Sequence, residues 1–248
     1  MAMEWSDDAL ILGVQKYGET DAIIDVLTKT YGRQRGFVKG GLGRRLRGVL
    51  QPGNGIVASW RARLEANLGR FTVELVDARA ANLFENIVRL SGMSSTSNLL
   101  INVLPERESC THIYYAHLAI LNLLCDHTAS LEDCGVGLTL FESGLLTELG
   151  FALDLSCCAS TGKTENLFYI SPKSARAISK EAGIPYHDKL YVLPKFMTGE
   201  SGTITYQDIY NGLRVTGYFM ERHVLNPVNK VFSEARYRFL DHFRSEND

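Results

Sequence analysis

Near residue 80 the hydrophobic period of this 248-residue chain changes from two to between three and four. That switch divides the chain into a β part and an α part. Before it, Ile56, Ala58, Trp60, Ala62 and Leu64 alternate with Val57, Ser59, Arg61 and Arg63. Successive side chains of a strand point to opposite faces, so one face packs inward and the other carries two arginines outward. β-rich runs at residues 9–14, 20–28, 33–39 and 71–76 bring the predicted strands to five. Tyr17-Gly18-Glu19 turns the first pair into a hairpin, and Gly53-Asn54-Gly55 opens the fourth strand. Five short strands with one buried face, in about eighty residues, fit a small closed barrel such as an OB-fold. An SH3-like barrel would show the same pattern.

Past the switch the spacing predicts helices. Leu83, Phe84, Ile87 and Val88 form one apolar stripe, and residues 113–125 are apolar on most sides, as a central helix would be. Leu138, Phe141, Leu145 and Leu149 follow at steps of three and four, with Gly150 as the stop. Ser171-Pro172 reads as N-cap and first helical residue of a helix ending near Gly183-Ile184-Pro185. Thr205 and Asp208 resemble a capping box before Ile209, Leu213 and Met220, with Pro227 as terminator. A last helix is predicted over residues 233–243. The fold class is thus α+β: a barrel domain over residues 1–80, then a helical domain over 81–248 with an irregular insertion near 155–200.

Charge is unevenly placed. The net charge is −2, yet residues 1–80 carry 12 Lys and Arg against 9 Asp and Glu, while residues 81–248 carry 14 against 19. Arg33, Arg35, Lys39, Arg44, Arg45 and Arg47 fall in an acid-free run interleaved with five glycines. Glycine-rich backbone is expensive to order, so this segment is expected to be a flexible loop that tracks a phosphate backbone and releases its counterions. Arg61 and Arg63 extend the same basic footprint. The plain alternative is a solvated loop. Tyr17, Tyr31 and Phe37 are candidates for base stacking, Phe37 through its shared parity with Arg33 and Arg35, whereas Trp60 and Phe71 are expected in the core.

Other motifs carry less. Thr161-Gly162-Lys163-Thr164 resembles the end of a phosphate-binding loop, but Cys157 stands where that motif needs glycine. Nucleotide hydrolysis through Lys163 is therefore the weaker, enzymatic alternative. The six histidines are scattered, and no nucleophile turn is present. Five cysteines, two of them adjacent, match neither a disulfide framework nor a zinc site. The most apolar stretch, residues 113–125, is shorter than the roughly 20 residues of a membrane span. The first eight residues are acidic and lack an apolar signal core. A cytoplasmic protein, associated with the nucleoid, is expected.

The order and spacing of several motifs resemble the bacterial DNA repair protein RecO family, alphaproteobacterial type. They are Thr28-Lys29-Thr30-Tyr31-Gly32-Arg33, Gly36-Phe37-Val38-Lys39-Gly40 and Leu50-Gln51-Pro52-Gly53, then Phe141-Glu142, Leu145-Leu146 and Leu149-Gly150, then Ser171-Pro172-Lys173-Ser174 and Leu193-Pro194. The resemblance implies an N-terminal OB-fold and a helical C-terminal domain. It also implies binding and annealing of single- and double-stranded DNA, and work with RecR and single-strand-binding protein to load the RecA recombinase. Some members carry a four-cysteine zinc site. Here Cys158 matches its first ligand, Thr161 stands at the second, and no cysteines lie around residues 177–180, so a zinc-free, cofactor-free, non-enzymatic member is expected. The acidic C-terminal tail of single-strand-binding protein would need local cations in the helical domain. Lys173, Arg176 and Lys180, predicted on one helix face, are one candidate set. Arg214 and Arg222, on the helix after Thr205, are the other. A scaffold that recruits partners without binding DNA is the remaining alternative.

Overall fold

The computed structural model describes residues 3–64 and 67–244. The chain divides into two compact units, Met1–His127 and Thr128–Asp248. The first is built on strands β1 (Met3–Tyr17), β2 (Asp21–Thr28), β3 (Gly32–Val38), β4 (Gly55–Ala62) and β5 (Arg70–Asp77). They close into a barrel of order β1-β2-β3-β5-β4, an OB-like arrangement, in which β3 and β5 meet in parallel at Phe37 and Arg70.

β1 is much longer than the predicted run at residues 9–14. Its second half pairs with β2 from Ala9↔Thr28 to Tyr17↔Asp21, and its first half pairs with β4 from Met3↔Ala62 to Leu10↔Gly55. One strand serving two neighbours must bend, and the register shifts between Ile11 and Gly13. The acidic stretch Glu4, Asp7 and Asp8 had obscured the strand. The barrel core is Ile11, Ile24, Val26, Val38, Ile56, Ala58, Trp60 and Phe71 with their smaller neighbours.

Helices α1 (Ile87–Val103) and α2 (Thr111–Cys125) complete this unit. The predicted stripe of four is not formed. Leu83 is buried in a separate 3-10 turn, Arg79–Leu83, while Phe84 and Ile87 are exposed. Asn86 intervenes as N-cap, accepting from the Arg89 N–H at 3.1 Å, so Ile87 starts a new element rather than continuing the old one.

The compact unit ends at residue 127 rather than at 80 because the chain after the barrel stays on it. The Arg33 Nε donates to the Leu104 carbonyl, the Thr111 hydroxyl to the Lys29 carbonyl, and the Ala80 N–H to the Asn54 side chain. Gly32 has φ +69°, and a Cβ there would fall 1.8 Å from the Glu108 carbonyl oxygen. Only glycine allows that approach.

The second unit centres on α3 (Leu131–Glu148) packed against α5 (Tyr206–Met220), with α6 (Glu234–Asp241) following. Capping boxes at Ser130–Asp133 and Thr205–Asp208 start α3 and α5. Gly150, at φ +86°, ends α3 in the left-handed conformation that closes many helices. Between α3 and α5 lies a sheet of order β7-β6-β8, made of β6 (Leu167–Ile170), β7 (Ala177–Ser179) and β8 (Tyr191–Val192), beside a single turn α4 (Lys180–Gly183).

The helix predicted from Ser171-Pro172 is therefore corrected. Those residues open the β6–β7 hairpin: the Ala175 N–H donates to the Ser171 carbonyl at 2.9 Å, the Ser171 N–H to the Arg176 carbonyl at 3.0 Å, and Ala175 sits at φ +55°. Ser-Pro starts turns as readily as helices, since proline presets the same φ for both. Among the described residues no helix is long and apolar enough to cross a membrane.

Candidate nucleic-acid interface

The basic residues of the barrel fall into two groups once their partners are known. Arg33 on β3 is 13% exposed and spends its guanidinium on Asp25 at 2.8 Å, Glu106 at 3.2 Å and the Leu104 carbonyl at 3.0 Å. Arg35 donates to Gln15 at 2.8 Å and lies 3.7 Å from Asp25. Burial pushes the Asp25 carboxyl above its ordinary pKa, and Arg33 and Arg35 pull it back. Arg33 thus braces the barrel to the segment after α1, which leaves its guanidinium little capacity for a phosphate, while Arg35 is partly exposed and engages Gln15 and Asp25. Strand parity placed both on the outer face but could not reveal Asp25, which lies opposite Arg35 and diagonal to Arg33 on β2.

The second group is exposed. Lys39 follows β3, and Arg44, Arg45 and Arg47 stand out from the segment joining β3 to β4. That segment is not the flexible loop expected from its glycines. The Leu46 and Arg47 N–H groups donate to the Gly43 carbonyl, the Leu50 N–H to the Leu46 carbonyl, and the Asn54 amide to the Gly48 and Val49 carbonyls. Leu42, Leu46, Val49 and Leu50 pack on the barrel core. Leucines between the arginines, not the glycines, decide the outcome, so the three cations sit on a fixed backbone.

On the barrel wall, register joins Arg61 of β4 to Arg70 of β5, and Arg70 to Phe37 of β3. Side chains in one cross-strand row share a face. Arg61, Arg70 and half-buried Phe37 therefore form a continuous basic and aromatic row, and exposed Tyr17 meets Phe37 edge-on at 5.7 Å. Arg61, Arg63 and Arg70 line an open groove of about 920 Å³ with Ser59 and Thr72. Glu4 lies 4.0 Å from Arg61, a separation at which two exposed charges interact weakly. Arg70 was missed as a site residue. Its signal was available: Phe71 is core, so Arg70 must face out.

The cations of the second unit are scattered differently. Lys173 lies in the hairpin turn, Arg176 pairs with Asp154 at 3.0 Å, and Lys180 sits over the Phe168 ring, so the expected shared helix face does not exist. Arg214, by contrast, lines a cavity of about 320 Å³ with Asp188, Lys189, Leu190, Tyr191, Val192 and Tyr218. Its guanidinium lies 5.5 Å from the Tyr191 ring and 5.7 Å from the Tyr210 ring. Arg222 donates to the Tyr218 hydroxyl at 2.6 Å and to the Pro172 carbonyl at 3.0 Å.

Residues 161–164 form a tight turn. The Gly162 N–H donates to the Cys158 carbonyl and the Cys158 N–H to the Lys163 carbonyl, and the chain then enters β6 rather than a helix. Cys158 packs with Leu167, Ala177 and Leu193, and its sulfur accepts the Ser179 N–H at 3.2 Å. Burial raises the Cys158 thiol, but hydrogen bonds from Thr161 and Ser179 outweigh it and bring the pKa down to about 6. Among the described residues, no group of three or more His, Cys, Asp or Glu is placed to hold a metal ion.

Residues 1–79 match the family described as recombination protein O N terminal, and residues 85–231 match recombination protein O C terminal. A protein named DNA repair protein RecO from Beijerinckia indica is 43% identical over 240 residues, covering 96% of this chain and 94% of the relative. Proteins of the same name from Sinorhizobium medicae and Caulobacter vibrioides are 41% and 39% identical, each over 96% of this chain and over 94% and 97% of their own lengths.

Proposed function

The chain belongs to the recombination protein O family, and from that premise we propose that it binds DNA through an OB-fold barrel and anneals complementary strands in recombinational DNA repair. The observation that supports this most is the exposed set of cations: Arg44, Arg45 and Arg47 on the hydrogen-bonded segment between β3 and β4, Arg61 and Arg70 on the wall, and Arg63 just past β4. Annealing needs no covalent chemistry. Two polyanions repel, and a protein that neutralises both lets them approach, after which base pairing supplies the free energy. The barrel is a binding surface rather than an enzyme.

In this reading the protein acts as a mediator with RecR and single-strand-binding protein in loading RecA. It works in the cytoplasm, at the nucleoid. The cavity around Arg214 is the candidate receptor for the acidic, apolar-ended tail of single-strand-binding protein, since it sets two cations, Lys189 and Arg214, against one carboxylate, Asp188, beside Leu190, Val192 and tyrosine rings.

A salt series tests the central claim. Labelled single-stranded and duplex oligonucleotides should bind with log K falling linearly in log salt, with a slope of at least about −3 for four or more phosphate contacts. A flat response would leave the scaffold reading in place.

A further inference from the structure

Both tryptophans of the chain, Trp5 and Trp60, belong to one aromatic stack at an end of the barrel. Their ring centroids are 5.7 Å apart and nearly parallel, and the Tyr31 ring stacks on Trp5 at 4.5 Å. Trp60 is core, but Tyr31 is 39% exposed. Beside the stack is a cavity of about 300 Å³, bounded by Met3, Thr30, Gln34 and Arg107 as well as the rings. Arg107 is held there at φ +69°, left-handed backbone that a non-glycine residue seldom adopts, by its N–H to the Arg33 carbonyl at 2.8 Å. Its side chain donates to the Asn67 carbonyl at 2.9 Å in an exposed hydrogen bond.

We propose that this cavity receives one unpaired nucleobase of a bound single strand, stacked on Tyr31, with the Arg107 guanidinium against an adjacent phosphate. The inference rests on the DNA-binding reading above. An aromatic face that ends a stack and remains open is a platform for any base, since every base has a π-face. A guanidinium beside it suits a polyanion that carries such bases. The register supplies the path. Glu4 pairs with Arg61, and Met3 with Ala62. The cavity thus begins one residue from the row of Arg61 and Arg70, so a strand lying along the outer wall can turn a base in over the barrel edge. Bases already stacked and paired in a duplex cannot enter without being flipped out. The cavity therefore selects single strands, whereas the cationic row accepts both forms.

The two tryptophans make the site self-reporting. The full-length protein is titrated with an oligothymidylate, with a duplex of equal length, and with an oligomer of the same backbone lacking bases, following tryptophan emission and the anisotropy of labelled DNA together. Emission should change with the oligothymidylate and stay nearly constant with the other two. Tyr31→Ala should weaken the single strand roughly fivefold or more while leaving the duplex alone, and Tyr31→Phe should restore it. Single-strand binding by anisotropy with unchanged wild-type emission overturns the inference and leaves DNA binding intact, whatever the stability of the variants. So does equal affinity for the abasic oligomer. Absence of any anisotropy change with any DNA overturns the DNA-binding reading and this inference with it.

Discussion

In the N-terminal unit Arg44, Arg45, Arg47, Arg61, Arg63 and Arg70 stand in solvent. In the C-terminal unit the central arginine is used in the opposite way. Arg236 is 3% exposed and gives two hydrogen bonds to Glu142, at 3.0 and 2.9 Å, and a third to the Leu213 carbonyl. Glu142, 1% exposed, also accepts from the Thr216 hydroxyl, so α3, α5 and α6 meet at one carboxylate. A cation in water stays available for a ligand's phosphate, whereas a desolvated one must keep its partner or the unit loses stability. Arg33 shows that the division follows burial and not location, since it lies in the barrel and yet behaves like Arg236.

The strongest way to break this comparison is to remove one half of the buried pair. Arg236→Met should destabilise the protein by about 3–5 kcal/mol, because Glu142 is left buried without its partner. Glu142→Leu combined with Arg236→Met should recover most of that loss, since a well-packed apolar pair removes the desolvation penalty with the attraction. Thermal unfolding measures both. The salt dependence of DNA binding should be the same in wild type and double variant. A changed slope would mean that Arg236 serves the nucleic acid after all.

The converse experiment is on the barrel. Arg44, Arg45 and Arg47 changed together to Ala should lower the log–log salt slope by up to about 2–3, for three lost contacts worth roughly 0.7–0.9 each. Stability should move by no more than about 0.5 kcal/mol. Arg33→Ala should invert the result: no change in slope, and a loss of about 1–3 kcal/mol as half-buried Asp25 is stripped of its main partner. Equal slopes for the triple variant and wild type would remove the β3–β4 segment from the interface.

The sequence made the barrel legible because period two is a backbone property and each face has one environment. It made α3 legible through apolar steps of three and four and the stop at Gly150, and α5 through the local cap at Thr205. It failed wherever the deciding residue was distant. Asp25 consumed Arg33 across a strand pair, the partners of Leu42 and Leu46 ordered a segment whose glycines promised freedom, and Ser171-Pro172 served a hairpin because residues 176–179 pair back on β6. The boundary read at residue 80, where the period changes, coincides with the division between the two family segments. Compactness divides the chain elsewhere, at residue 127, after α2.

A smaller effect tests burial by pH rather than by substitution. His117 on α2 is fully buried, and burial first, then the charge of Arg79, depress its pKa from the usual 6.5 to about 3. The unfolded chain binds a proton below about 6.5 that the folded chain refuses until about 3, so stability contributed by neutral His117 is present above 6.5 and falls as pH drops through that window. The slope should approach about 1.4 kcal/mol per pH unit well inside it. Comparing wild type with His117→Leu between pH 7 and 5 isolates the term. If both lose stability in parallel, His117 is not the titrating group.

The finest test concerns cations that belong to neither class cleanly. Arg214 is exposed, as a ligand-binding residue should be, yet its guanidinium is already flanked by the Tyr191 and Tyr210 rings. Arg222 is exposed too, but donates to Tyr218 and the Pro172 carbonyl. Stacking on a ring leaves the guanidinium edge open to a carboxylate, while hydrogen bonds along that edge occupy it. The two arginines should therefore differ. Arg214→Glu should weaken a labelled peptide carrying the acidic tail of single-strand-binding protein at least tenfold, or about 1.4 kcal/mol. Arg222→Glu should cost less, and Lys173→Glu almost nothing, because Lys173 stands on the hairpin turn outside the cavity lining. Reversal rather than truncation is the informative change, since it replaces attraction by repulsion without emptying the surface. If Arg214→Glu and Arg222→Glu both leave the peptide's affinity unchanged, the tail is not held in this cavity, and Arg214 joins Arg33 and Arg236 among the arginines whose partners are already inside the protein.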